Sequence, residues 1–323
     1  MEAGVRTEDK PGAKGRHGDY WAARGLAEPA VVPQGRGAAL RTVVGDYITL
    51  TKPKVQSLLL FTTVTTMYVA GNPSLGRVLL TCVGGALSAG GAGAINHYLD
   101  RDLDALMSRT ANRPVPSGRV APRAALLYGI ALGVASFLLL STTVNLLSAA
   151  LALSGLLGYV LVYTMWLKRT TPQNIVIGGA AGAVPPLVAW AATTGRLAGG
   201  AVYLFAIVFY WTPPHFWALS LLMKDDYARA GVPMLPVVRG ERETRRHIVL
   251  YSLLLVAVTM LPFAGRLFDG LYLVCALVLG GALMWLALQL SRKADKMSAL
   301  RLYLFSLAYL ALLFGAMVAD VKL

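Results

Sequence analysis

Apolar stretches close to twenty residues long recur nine times between residues 46 and 319. A helix needs about 20 such residues to cross the hydrocarbon core of a bilayer. In lipid, every backbone polar group must be bonded within the chain, which leaves helices or a closed barrel. The expectation is an all-α, polytopic membrane protein with nine transmembrane helices. They are placed near 46–70, 77–99, 123–141, 144–167, 174–194, 199–222, 247–266, 270–290 and 299–319. Composition agrees: charged residues are 14% of the chain, against roughly a quarter in a soluble domain. The lipid bilayer is thus the first partner.

Residues 1–43 differ. They are polar and rich in Gly, Pro and Arg, with no apolar run, which excludes a secretory signal. Glu2, Glu8, Asp9, Asp19 and Glu28 argue against a transit peptide. This segment reads as a disordered cytoplasmic tail, with the helical domain spanning 44–323.

The net charge of +14 could suggest a nucleic-acid partner. The basic residues instead alternate between loops, and no aromatic-rich basic module accompanies them. Arg101, Arg109, Arg113, Arg119 and Arg123 fall between spans two and three, and Lys168 and Arg169 between four and five. Lys224, Arg229, Arg239, Arg242, Arg245 and Arg246 fall between six and seven, and Arg292, Lys293 and Lys296 between eight and nine. By the positive-inside rule the N-terminus is cytoplasmic and the C-terminus outside. Cys82 and Cys275 lie in apolar stretches and indicate no disulfide framework.

The most informative stretch is NHYLDRDLDALMSRTANRPVPSGR, residues 96–119. Asn96, Asp100 and Asp104 stand at i, i+4 and i+8, one face of a helix. Intramembrane carboxylates are costly and usually mark a site. Magnesium is held by one or two carboxylates together with a substrate's phosphates, and this face suits it. Arg109 and Arg113 follow at once and can hold phosphate oxygens. Lys168, Arg169 and, less strongly, Lys54 are candidates of the same kind. Each of these cations has a plainer reading as orienting charge. The second long loop, 223–246, carries Asp225 and Asp226. They stand about 100° apart on a helix, so both cannot face one ion. Four spans separate the two loops, which suggests a pseudo-repeat with one site between its halves. Small-residue runs, GGALSAGGAGA at 84–94 and GGAAGA at 178–183, allow close helix packing or room for a bulky apolar ligand. WTPPHFWAL, residues 211–219, should break the sixth span at Pro213–Pro214 and set His215 toward a substrate or haem. Pro185–Pro186 should break the fifth in the same way. His97 is a weaker candidate than His215.

These residues resemble the UbiA-like intramembrane prenyltransferases and, within them, the protohaem IX farnesyltransferases. The likeness rests on NHYLDRDLDALMSRTANRPVPSG, LTKPKV (50–55), YTMWLKRTTPQNIVIGGAAGAVPPLVAW (163–190), WTPPHFWAL and DDYARAGVPMLPVV (225–238). It covers nearly all of the chain beyond residue 44. It implies a nine-helix bundle around a central cavity open to the bilayer of a bacterial cell membrane. It also implies Mg2+ bound at Asn96, Asp100 and Asp104, carrying farnesyl diphosphate. The allylic cation would alkylate the 2-vinyl group of haem B, and water capture would give haem O. Where many relatives carry a second D-x-x-x-D motif, this chain has Met223 and Tyr227 at those positions, with Asp225 and Asp226 between. Docking of a haem A synthase or a terminal oxidase assembly is left open. A quinone or chlorophyllide acceptor is the alternative among enzymes, and a secondary transporter the alternative outside them.

Overall fold

The computed structural model describes the backbone from Arg36 and side chains from Arg41, so the expected tail lies almost wholly outside the described residues. Val43–Leu323 forms one compact unit. The helices, in order, are α1 (Arg36–Leu50), α2 (Pro53–Ala70), α3 (Leu75–Leu99), α4 (Arg101–Leu106) and α5 (Pro122–Thr143). After these come α6 (Leu146–Thr170) and α7 (Asn174–Thr194). The rest are α8 (Gly199–Leu222), α9 (Lys224–Arg229), α10 (Leu235–Val238), α11 (Gly240–Ala264), α12 (Gly270–Lys293) and α13 (Lys296–Lys322). No strand occurs among the described residues. Seven helices are long and apolar enough to cross a membrane: α3, α5, α6, α7, α11, α12 and α13. The other two expected spans are α2 and α8, of 18 and 24 residues. Lys54, Gln56 and four threonines lower the hydropathy of α2, and Pro213, Pro214 and His215 that of α8.

Successive long helices pack side by side, and α13 returns to α2, so the set closes on itself. α3 is held closest. A Cβ on Gly91 would stand 2.7 Å from the Gly129 carbonyl oxygen of α5, and one on Gly93 would stand 2.9 Å from that of Leu50. Backbones approach this closely only where side chains are absent. Some of these small residues seat neighbours, with Leu140 filling the space over Gly84 and the Tyr163 ring that over Gly178, while Gly85, Ala86 and Ala89 line a small cavity with Pro185.

Three local expectations change. The span placed at 46–70 is cut at Lys52, which adopts φ 54°. Pro53 follows, and a residue before proline is driven out of the helical region. Second, α8 runs unbroken through Pro213 and Pro214. Pro213 and Pro214 free the carbonyls of Phe209 and Tyr210, and in a spanning helix neighbouring helices can support such groups. Pro185 and Pro186 do mark a break, at Ala183 between the two halves of α7. Third, α11 begins at Gly240, seven residues before the expected start, because GERETRR continues the helix with its own ion pairs.

The two long loops start alike. α3 ends into the six-residue α4, which carries Asp102 and Asp104. α8 ends into the six-residue α9, which carries Asp225 and Asp226.

Candidate active site

The helical hydrogen-bond pattern continues across the α3–α4 junction: Asp100 N donates to Asn96 O at 2.8 Å, and Asp104 N to Asp100 O at 2.7 Å. Asn96, Asp100 and Asp104 therefore keep one face. All three are buried, at 3%, 1% and 2% exposure. Asn96 Nδ2 donates to Asp100 Oδ2 at 2.7 Å. Burying two carboxylates requires partners, and the partners are cations. Arg113 Nη1 reaches both Asp104 oxygens, at 2.9 and 2.8 Å. Lys168 Nζ lies 2.5 Å from Asp100 Oδ2. Arg169 bonds both oxygens of Asp102 at 2.8 Å and the Leu99 carbonyl, and stands 3.8 Å from Asp100 Oδ1. The Arg169 hydrogen bond is the main cause holding the Asp102 carboxyl down at about 2.

The lysine of the LTKPKV stretch that enters this cluster is Lys52, not Lys54. Lys52 Nζ donates to Asn96 Oδ1 at 2.7 Å. Lys54 is exposed; the left-handed turn at Lys52 aims that side chain back at α3, and Pro53 starts a helix whose outer face Lys54 shares. Burial, then the charges of Arg113 and Lys168, pull the Lys52 ammonium down to about 7. Three cations thus face two carboxylates around Asn96, and the excess positive charge suits an anion.

α6 explains how Lys168 arrives here. Gly158–Leu167 is wound as a π-helix, a form that concentrates at functional sites. Thr164 Oγ1 donates to the Tyr159 carbonyl five residues back, and Asn96 Nδ2 donates to Thr164 Oγ1 at 3.2 Å. The Tyr159 and Tyr163 rings lie 5.4 Å apart, and both feel the charge of Asp100. Tyr227 on α9 is buried within reach of Arg109, Arg113, Asp226 and Asp100. Sequence reasoning missed Lys52, Thr164 and the three tyrosines. The run YVLVYT gave no signal apart from its aromatics.

The second loop joins the first through Asp226. Ser108 Oγ donates to both Asp226 oxygens at 3.0 Å, and Arg229 pairs with the same carboxylate. Burial raises the Asp226 carboxyl, but the Ser108 bonds and Arg229 outweigh it and leave it below its ordinary value. Asp225 is exposed, so the two acids diverge as their spacing predicts. Arg109 is exposed and has no ion-pair partner among the described residues. His215 lies outside the cluster. Its ring stacks between Trp211 (4.3 Å) and Tyr303 (4.8 Å), and Nδ1 is 2.7 Å from Ser306 Oγ on α13. His97 is buried with Nδ1 unbonded.

Among the described residues no three His, Cys, Asp or Glu side chains converge. A divalent ion would therefore draw on two carboxylates and one amide, with water and phosphate completing its shell. That is how magnesium is usually bound. The donors are all hard oxygens, and Asp100 Oδ1 is buried without a hydrogen bond. The residues fit such an ion.

The membrane helices carry a buried acidic face ringed by cations. Residues 58–313 match the model of the UbiA prenyltransferase family, and the chain belongs to that family. Among curated proteins it is similar to one described as protoheme IX farnesyltransferase from Symbiobacterium thermophilum, with 56% identity over 283 residues, covering 86% of this chain and 95% of that one. A protein of the same description from Roseiflexus sp. (strain RS-1) is 56% identical over 281 residues, covering 86% of this chain and 53% of that one. The Chloroflexus aurantiacus protein of that description is likewise covered over 48% of its length. The chain thus spans about half the length of these last two relatives. The fold is also that of a solved digeranylgeranylglyceryl phosphate synthase (TM-score 0.72, 18% identity, 87% of this chain and 100% of that one). A UbiA homolog from Archaeoglobus fulgidus, bound to GPP and Mg2+, shares it too (TM-score 0.58, 17% identity, 84% of this chain and 99% of that one).

Proposed function

We propose that this protein transfers a farnesyl group from farnesyl diphosphate to the 2-vinyl group of haem B, with addition of water, giving haem O and diphosphate. The observation that carries the reading is the 56% identity to the Symbiobacterium protein along almost its whole length. The site's chemistry supports it. In the reaction the allylic C–O bond breaks and diphosphate leaves with the electron pair. The vinyl carbon bonds to the farnesyl cation, water bonds to the adjacent carbon, and its proton passes to diphosphate.

Arg113 and Lys168 stand where they can turn from the carboxylates, and Lys52 from the Asn96 amide, to the leaving group, with Arg109 and Arg169 at the rim. Charge grows on those oxygens as the bond breaks, so these contacts strengthen in the transition state and accelerate the step. Asn96, Asp100 and Asp104 would hold Mg2+, which supplies Lewis-acid stabilisation of the same charge. Leu103 and Met107 of the first loop and Tyr227, Val232 and Met234 of the second are buried in the main apolar core, which would keep water from the cation. His215, with Nδ1 tied to Ser306, presents Nε2 as the nitrogen able to meet haem. The basic loops support a place in the bacterial cell membrane with the N-terminus cytoplasmic and the C-terminus outside.

The test is product analysis. The chain is expressed in a host lacking its own haem farnesylation, and extracted haem is weighed by mass spectrometry. The expected product is haem carrying one farnesyl group and one water. Unchanged haem B beside a prenylated quinone precursor would overturn the acceptor.

A further inference from the structure

The candidate metal face has side-chain cations already seated on its oxygens. Lys168 Nζ sits on Asp100 Oδ2 at 2.5 Å, Lys52 Nζ on Asn96 Oδ1 at 2.7 Å, and Arg113 on both oxygens of Asp104. Only Asp100 Oδ1 is left without a hydrogen bond. The same three side chains are the groups able to hold a diphosphate. A divalent ion arriving alone would have to displace half-buried ammonium and guanidinium groups from buried carboxylates, and a cation left there without its counter-charge is costly. A diphosphate arriving alone would meet Lys168 and Arg113 already neutralised by Asp100 and Asp104, with only Lys52, on the Asn96 amide, left to answer its charge. When both arrive together, each displaced cation finds a phosphate oxygen and each freed carboxylate oxygen finds the ion.

We propose that Lys52, Lys168 and Arg113 act as caps on the metal face, so that the divalent ion and the diphosphate enter as one unit and neither binds well by itself. This rests on the reading of Asn96, Asp100 and Asp104 as metal ligands, and it holds for any prenyl acceptor. The coupling is reciprocal by linkage: whatever the diphosphate adds to metal affinity, the metal adds to diphosphate affinity. Lys168 and Lys52 are thereby positioning groups before the reaction as well as phosphate contacts during it.

The caps give a signed prediction that simple loss of a structural ion pair does not. With no diphosphate present, Mn2+ should bind the purified full chain weakly, and Lys168→Met should tighten that binding at least tenfold. Electron paramagnetic resonance of bound Mn2+ in detergent reads this directly. The preformed Mn2+ complex of a prenyl methylenediphosphonate should bind the unmodified protein well and Lys168→Met poorly. Lys52→Met, which uncaps only the Asn96 amide, should tighten Mn2+ alone to a smaller degree and serves if Lys168→Met does not fold. Equal affinity of the unmodified protein and both variants for Mn2+ alone would overturn the cap. Failure of all three proteins to bind either Mn2+ or its complex would overturn the metal-site reading itself, and the cap with it.

Discussion

Asp100→Asn should abolish the proposed farnesyl transfer while the protein still inserts and folds. Asp100 is buried, receives the Asn96 amide, and holds Lys168 at 2.5 Å. The asparagine side chain keeps the volume and one acceptor oxygen for Lys168, but not the charge that a divalent ion requires. A single preorganised electrostatic group is worth about 10²–10³ in rate. Asp100 holds Lys168 and, on the proposed reading, would also hold the ion, so the loss should lie at or beyond the upper end of that range. Asp100→Ala should be equally inactive but less stable, because it leaves Lys168 without its buried partner, at a cost of about 3–5 kcal/mol. Product per inserted molecule, measured by haem mass beside gel filtration of the detergent-solubilised variant, checks both statements. Asp102→Asn is the contrast. Asp102 is 59% exposed and pairs with the partly exposed Arg169, so its loss should cost far less.

Arg113→Gln is the second large effect. Arg113 meets both oxygens of Asp104 through Nη1 alone, and its planar guanidinium carries further donors for a phosphate that lysine lacks. If its bond to the diphosphate forms fully only as charge develops, kcat falls along with kcat/KM, by about 10²-fold or more. Arg113→Lys should recover only part of this. Turnover of labelled farnesyl diphosphate over a range of concentrations separates the two parameters. A rise in KM with kcat unchanged would make Arg113 a simple binding contact.

The long apolar runs and the i, i+4, i+8 face of Asn96, Asp100 and Asp104 carry their own periodicity, so both were legible in the sequence. The partners of those acids were not. Lys52 meets Asn96 across 44 residues, Lys168 meets Asp100 across 68, and Ser108 meets Asp226 across 118. Nothing local encodes such pairings. Lys52 and Lys54 flank Pro53 almost symmetrically, and only the left-handed turn at Lys52 decides which faces inward. The π-winding of Gly158–Leu167, which sets Thr164 within 3.2 Å of Asn96 Nδ2, has no signal in the run itself. Pro213–Pro214 misled for a related reason. The expected break assumed an unsupported backbone, whereas α8 is buried among α7, α11 and α13.

The most direct measurement is the position of Mn2+, from its anomalous scattering, in crystals grown with a non-hydrolysable farnesyl diphosphate analogue. The account predicts one peak within about 2.0–2.3 Å of oxygens from Asn96, Asp100 and Asp104, with Lys52, Arg113 and Lys168 turned onto the phosphates. A peak beside Asp225 and Asp226, with Lys168 still on Asp100 and Arg113 still on Asp104, would contradict it.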